Sequence, residues 1–494
     1  MLISGLALGA VLGFVMQRGR FCVTGFLRDI FTQRSWRGFV ALLIVISVHA
    51  IGLAALTSAG VITPEYNELA PLAVIVGGVI FGLGIVLAGG CASGTWYRSG
   101  EGLIGSWIAL VFYALSAAAM KTGFLNGLQD SLKDRTVGLT SIHASLGISI
   151  WPLVIALSAV TAYFAVRYLR EEFSGPRPAT LAPRKSGLAH ILTEKAWHVY
   201  ATAAIVGVLG VIAWPLSAAT GRNDGLGITT PSSNLANYVV TGDTERFDWG
   251  VLLVLGILVG SFIAAKASGE FRLRVPDATQ GARSVVGGIF MGVGAAWAGG
   301  CTVGNGMVQT SLFSYQGWLA LASIAAGVAI AAKLWLKPSA SSLNDVPSTP
   351  STTNDTAVSA TAPVTSAATS PVSLPGSEGA GVAGTEASPL AGAFTVAPVA
   401  LLDRSVVKQE DGKLKPLGDG RYELDTVGAV CPFPLIEAKD AINKIEIGEE
   451  LVIPFDCTQA TDAIPRWAAK DGHEVTNFEQ TGEAGWTISV RRGK

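Results

Sequence analysis

Five cysteines are the residues of this chain most able to do chemistry: Cys22, Cys91, Cys301, Cys431 and Cys457. Their odd number and wide spacing do not describe a disulfide framework, and no C-x-x-C or Cys/His cluster points to zinc or iron–sulfur binding. No metal and no cofactor is expected. Cys431 opens Cys431-Pro-Phe-Pro434. Proline suits the first turn of a helix, which leaves Cys431 near a helix N-terminus, where the dipole favours a nucleophilic thiolate. Cys457 follows the next strand and reads as a bystander, with resolution of an intermediate on Cys431 as the alternative.

Cys91 and Cys301 stand in a different setting. Each ends an Ala-Gly-Gly-Cys-x-x-Gly stretch: Gly89 and Gly90 precede Cys91, and Gly299 and Gly300 precede Cys301. Paired glycines permit unusual backbone angles and close approach. At membrane depth irregular backbone is tolerated only inside protein or beside a cavity. The expectation is a helix that stops mid-membrane, turns at the glycines and restarts with its free N–H groups facing a cavity, where an anion is favoured. A thiol is a weak donor, poor for a hard anion and compatible with a soft, polarisable sulfur atom. The matching cargo has oxyanion oxygens at one end and an exposed sulfur at the other. Cys22, in Gln17-Arg-Gly-Arg-Phe-Cys22, sits just inside a basic loop. Arg20 is a candidate contact for the anion, although Arg18 and Arg20 also serve as orientation determinants. Thr95, Asn305 and Gln309 are candidate polar wall residues that could equally cap helices. The histidines show no partner spacing.

The elements that must position these groups follow from composition. Half of the 494 residues are hydrophobic, 14% are charged and 59 are glycine, against about 25% charged in ordinary soluble chains. A net charge of −1 argues against nucleic acid. Residues 1–337 are apolar runs broken by short polar loops, with nine candidate membrane segments: 1–17, 38–58, 71–90, 103–120, 146–168, 197–214, 249–266, 284–300 and 316–337. The first lacks a basic region and a cleavage site, so it reads as a retained segment. Arginine and lysine crowd alternate loops, around Arg18–Arg37, Arg167–Lys185 and Lys266–Arg283. The positive-inside rule then puts the N-terminus outside and the C-terminus in the cytoplasm. Val76-Gly-Gly through Gly94 aligns without a gap on Val286-Gly-Gly through Gly304. Under this orientation the copies enter from opposite sides, an inverted repeat whose interface is a substrate site in transporters. A weaker echo links Gly9 and Gly13 to Gly256 and Gly260, and nothing matches Cys22.

Residues 338–400 are dominated by Ser, Thr, Ala, Pro and Gly, and residues 338–415 are expected to form a disordered linker. Residues 416–494 return to a soluble mix. Strand signals at 421–427, 449–455, 475–478 and 486–490, with helices after Cys431 and over 460–470, give β-α-β-α-β-β, a two-layer α/β sandwich.

On Arg20-Phe-Cys22, the duplicated Gly-Gly-Cys with its trailing glycine and the nine short segments, residues 1–337 resemble the YeeE/YedE sulfur-transport family. Cys-Pro-x-Pro at the first helix makes residues 416–494 similar to TusA-family (SirA-like, YeeD-like) sulfur carriers. The resemblance implies an α-helical polytopic protein of the bacterial inner membrane that imports thiosulfate along Cys22, Cys91 and Cys301. It implies a persulfide on Cys431, thiosulfate cleavage by the C-terminal domain, and cytoplasmic sulfur-acceptor proteins as partners beyond the lipid bilayer. A membrane-anchored sulfurtransferase, or an importer of a selenium or other sulfur compound, are the alternatives. No G-x-x-x-x-G-K-[ST] loop is present, which argues against ATP-driven pumping by this polypeptide.

Overall fold

The computed structural model describes residues 2–336 and 414–493, so the expected linker over 338–415 lies almost wholly outside the described residues. Long apolar runs become helices because lipid offers the backbone no hydrogen-bond partner. In chain order they are α1 (Ile3–Arg18), α2 (Val23–Thr32), α3 (Arg37–Ser58), α4 (Pro71–Leu87), α5 (Ala92–Gly100) and α6 (Ile104–Lys121). The loop helices α7 (Asn126–Lys133) and α8 (Ile142–Leu146) precede α9 (Trp151–Ser174), and α10 (Gly187–Thr193) precedes α11 (Val199–Ala218). Then come α12 (Thr229–Thr241), α13 (Trp249–Ser268), α14 (Ala278–Ala298), a π-helix over Gly304–Gln309 and α15 (Tyr315–Trp335). Each of the nine expected segments contains one long helix. Eight segments among the described residues are long and apolar enough to span a membrane. The ninth helix, α14, falls short because its first turns carry Gln280 and Arg283. The restart expected after Gly89-Gly90-Cys91 is α5, whereas the short helices α2 and α12 have no counterpart among the expected segments.

The repeat is visible in the packing. An added Cβ at Gly77 would meet the Ala298 amide at 2.5 Å, and one at Gly84 would meet the Met291 amide at 2.7 Å. Rising numbers on α4 therefore face falling numbers on α14, and the two copies run antiparallel. Their flanks mirror each other: Gly82 of α4 abuts the Ile324 carbonyl on α15, and Gly288 of α14 abuts the Ala109 carbonyl on α6. The fainter echo has another meaning. Gly5, Gly9 and Gly13 touch the backbone or side chain of Trp249, Leu253 and Ile257 in step, so α1 and α13 run parallel. They are packing partners with small-residue faces, not inverted equivalents. The counterpart of this pair is α11 on α3, where Gly207 and Gly52 make the contacts. In that arrangement α12 stands where α2 stands in the first half.

The C-terminal domain has a five-stranded sheet ordered β1-β2-β3-β5-β4, from β1 (Leu414–Gly418), β2 (Arg421–Leu424), β3 (Glu450–Phe455), β4 (Glu474–Gly482) and β5 (Gly485–Arg491). Helices α16 (Phe433–Ile442) and α17 (Ala460–Asp471) form the second layer. The expected order is kept, with β1 added as an antiparallel partner of β2. The domain core joins Leu435, Ile442, Leu451, Ile453, Ile464, Trp486 and Ile488. Its connections to the membrane helices include Arg466 to Glu172 at 2.7 Å and the Ala484 amide to the Gly269 carbonyl at 3.0 Å.

Candidate functional site

After α4 the chain turns at Gly89 (φ +72°), a left-handed conformation that glycine adopts without penalty. Cys91 follows in extended backbone and leads into α5, all nine residues of which are buried. Arg98 of α5 reaches back: one guanidinium nitrogen donates to the Gly89 carbonyl, and the other lies 3.5 Å from Cys22 Sγ. Cys22 itself is the extended residue before α2, and its sulfur and that of Cys91 both lie beside Gly94. An added Cβ at Gly94 would meet Cys91 Sγ at 3.3 Å and Cys22 Sγ at 4.0 Å, so the missing side chain leaves both sulfurs their room. The pair belongs to one half of the repeat.

Cys301 occupies the other half. Gly299 turns at φ +77°, and Asn305 Nδ2 donates to the carbonyls of Ala298 (2.8 Å) and Gly300 (2.9 Å). Tyr113 of α6, whose hydroxyl donates to Thr229 Oγ1 at 2.8 Å, lies within electrostatic reach of both Cys91 and Cys301. Cys91, Cys301 and Tyr113 belong to one buried core, and Cys22 is buried next to Cys91 across Gly94. Two buried hydroxyls, Thr24 and Thr302, have no hydrogen-bond partner among the described residues.

Other expected contacts are occupied. Thr95 Oγ1 donates to the Ala92 carbonyl of its own helix at 2.7 Å. Arg20 pairs with Glu270 at 3.1 Å, and Arg18 pairs with the same carboxylate at 3.3 Å, joined by Gln17 at 2.6 Å. Burial pushes Glu270 up, and Arg20 and Arg18 more than reverse it, so its carboxyl sits below the usual range. Gln309 closes the π-helix. Arg98 was not among the expected site residues, although it lies on the helix expected to restart after the glycine turn. The signal was there, since an ionisable residue at membrane depth marks a functional position by default.

Cys431 lies two residues before α16, as expected. Its state differs: Cys431 and Cys457 form a disulfide, with Cα atoms 6.3 Å apart. Cys457 is therefore a partner rather than a bystander, and the expectation of no disulfide fails here. Wide sequence spacing could not show that the ends of β2 and β3, which run parallel, deliver both residues to one edge. The loops are pinned together by the Gly428 amide donating to Asp456 Oδ1 (3.0 Å) and the Thr426 amide to the Pro454 carbonyl (3.0 Å).

A cavity of about 550 Å³ is lined by both Cys22 and Cys431, with Arg28, Lys439 and Arg466 among its cations. Burial holds Lys439 below its ordinary value, with Asp471 opposing. A smaller one of about 60 Å³ is lined by Cys431 and Cys457 together with Arg98, Glu101 and Arg274. Burial pushes Glu101 up to about 7, against the pull of Arg274. Val430 rests on the Gly89 turn, 3.0 Å from where a Cβ would stand. Val430 and Cys431 of the C-terminal domain thus lie at the Gly89 turn. Among the described residues no group of three His, Cys, Asp or Glu could hold a metal ion.

Residues 18–330 match the family model described as sulphur transport. The chain belongs to this family. A second model, described as sulfurtransferase TusA, matches residues 422–492. The family member is 51% identical over 328 residues to the thiosulfate transporter TsuA of Escherichia coli K12, covering 66% of this chain and 93% of the relative. It is 32% identical over 337 residues to the TsuA of Spirochaeta thermophila, covering 65% and 94%. Over 70 residues, 14% of this chain, it is 59% identical to TsuB of E. coli K12, named as a sulfur carrier protein, of which it covers 93%. Two relatives that are separate chains are here joined in one multi-pass inner-membrane protein with a TusA-like domain.

Proposed function

We propose that this protein carries thiosulfate into the cell past Cys301, Cys91 and Cys22, and that Cys431 takes its sulfane sulfur. The names of the relatives similar to each half bring thiosulfate to this reading. The observation that carries it is the cavity lined by Cys22 and Cys431 together: the last thiol of the series and the acceptor thiol open onto the same space. The orientation that fits has the N-terminus outside and the C-terminal domain in the cytoplasm. Thiols offer single weak donors in succession, which favours passage over trapping. The backbone N–H groups at the start of α5 suit the sulfonate oxygens. Once its bond to Cys457 is reduced, the Cys431 thiolate attacks the sulfane sulfur, and sulfite leaves with the electron pair of the broken S–S bond. Consumption of cargo at the exit would keep the inward gradient favourable. Cytoplasmic acceptor proteins would then take the sulfur.

Uptake of sulfur-labelled thiosulfate by cells lacking other importers tests the reading. Cys22→Ala, Cys91→Ala and Cys301→Ala should each abolish uptake, and unlabelled thiosulfate should compete better than sulfate or selenite. Normal uptake by the Cys91→Ala variant would overturn the thiol path. Loss of membrane uptake with retained sulfite production by the C-terminal domain would separate the two activities.

A further inference from the structure

We infer that Cys457 is a resolving residue: it displaces the sulfur carried by Cys431 and releases it as hydrosulfide, so that the chain converts thiosulfate to sulfite and hydrosulfide with a dithiol as reductant. The inference rests on the reading of Cys431 as the sulfur acceptor and adds a second step to it.

The two sulfurs are bonded, which shows that their backbones allow direct contact without rearrangement. That contact is built in. The bonds from Gly428 to Asp456 and from Thr426 to Pro454 tie together the loops that carry the two residues. Both cysteines are buried to a similar degree, each about 8% exposed, so a persulfide on Cys431 would meet Cys457 before it met a bulky thiol from solution. Cys431 also has two sides. The large cavity reaches it from Cys22 without touching Cys457, whereas the small one holds Cys431 and Cys457 together under Arg98 and Arg274. Delivery and resolution thus approach the same sulfur from different directions, and the second space has two guanidinium groups suited to a small leaving anion.

The chemistry balances as follows. In the first step the Cys431 thiolate attacks the sulfane sulfur, sulfite leaves, and a persulfide remains on Cys431. In the second the Cys457 thiolate attacks Cys431 Sγ, the persulfide S–S bond breaks, and the terminal sulfur leaves with the electron pair and one proton as hydrosulfide. The two thiols lose two electrons in becoming the disulfide, and the sulfane sulfur gains them. A dithiol then reduces the disulfide by exchange through a mixed disulfide, returning both thiols and becoming a cyclic disulfide itself.

The test uses the purified full-length chain, reduced with dithiothreitol, freed of reductant and given thiosulfate labelled in its sulfane sulfur. The wild type should release sulfite and labelled hydrosulfide in equal amounts and end with Cys431 bonded to Cys457, as read by mass spectrometry of the alkylated peptides. Cys457→Ser should still release sulfite, but hydrosulfide should fall at least about tenfold, with label retained as a persulfide on Cys431. Added dithiothreitol should discharge it. Equal hydrosulfide release by Cys457→Ser without added thiol would overturn the inference, as would a wild type that accumulates persulfide while Cys457 stays free. The disulfide mapping on wild type does not depend on how the variant folds. The acceptor reading fails separately: Cys431→Ser would release sulfite as fast as wild type, or the wild type would release none, and the resolving role would fall with it.

Discussion

The turn at Cys91 and the turn at Cys301 are copies of one motif that have been closed by different means. Both carry a left-handed glycine, Gly89 and Gly299, at nearly the same φ. After the second turn the amide of Asn305 bonds two carbonyls, and Gln316 bridges to Asn305 Oδ1 at 3.0 Å while filling the space where a Gly299 Cβ would stand. After the first, the aligned residue is Thr95, whose hydroxyl is spent on its own helix. The Gly89 carbonyl falls instead to Arg98, and the outer face of the turn is covered by Val430 of the C-terminal domain. One break is sealed by neutral amides of the helix bundle. The other is held by a buried cation that also touches Cys22 and is covered by the acceptor domain. The two turns share a backbone and differ in the side chains that close it.

The largest expected effect lies in the charges gathered on the first half. Glu270 is buried between Arg18, Arg20 and Gln17 just behind Cys22, and no such ion pair stands at the Cys301 turn among the described residues. Glu270→Ala would strand two guanidinium groups, at a cost of about 3–5 kcal/mol, and should sharply lower the amount of folded protein in membranes. The folded carboxyl is held below its ordinary value, so its contribution is present above the unfolded value of about 4.3 and is lost as pH falls through the folded one. A wild type and a Glu270→Gln variant compared by thermal unfolding from pH 7 downward should converge. A constant gap across that range would show that the carboxylate charge is not what holds Cys22 in place.

Next come the two pins. Arg98→Met removes a donor to a buried carbonyl and the contact to Cys22, and Asn305→Ala unpairs the Gly300 carbonyl and leaves that of Ala298 to Gln316 alone. Each should cost about 1–3 kcal/mol, as expected for a stranded buried polar group. Their functional readouts should differ. Thiosulfate uptake per folded molecule should drop at least about tenfold for Arg98→Met and stay within about twofold for Asn305→Ala. Arg98→Lys should not restore uptake, because one ammonium cannot serve the carbonyl and the sulfur in the guanidinium's fixed geometry. If Asn305→Ala were the variant that lost uptake at full folded amount, the assignment of exit and sealed turn would be reversed.

Much of this contrast could be read before the structure, for reasons that lie in the physics of each feature. The nine long helices were legible because apolar length is a direct requirement of the bilayer. The Gly-Gly-Cys turns were legible because they occur twice, and the α/β order of the C-terminal domain because strand and helix periods differ. Arg98 was hidden because nothing in the sequence tells which of the polar side chains of α5, Ser93, Thr95, Arg98 and Ser99 among them, reaches back to the turn. The resolving cysteine was hidden because residues 26 apart in sequence are brought together only by parallel pairing of β2 with β3. The Gly9–Gly256 echo was misread because small residues recur wherever helices pack closely, whether or not the helices are related.

The smallest effect probes the cover itself. Gly89→Ala and Gly299→Ala each place a Cβ on a left-handed residue, at about 1–2 kcal/mol. Their surroundings then diverge: Gly299 meets Gln316 Nε2 at 2.5 Å, whereas Gly89 meets only Val430 Cγ1 at 3.0 Å. Trimming the cover with Val430→Ala should therefore recover part of the Gly89→Ala loss and leave Gly299→Ala unchanged. A double-mutant cycle on thermal stability should show a coupling of about 0.5 kcal/mol for the first pair and none beyond error for the second. Equal coupling in both cycles would mean that Val430 acts on the fold at large. Coupling confined to Gly89 places the acceptor domain on that turn, where removal of one methyl-bearing side chain is felt by the backbone next to Cys91.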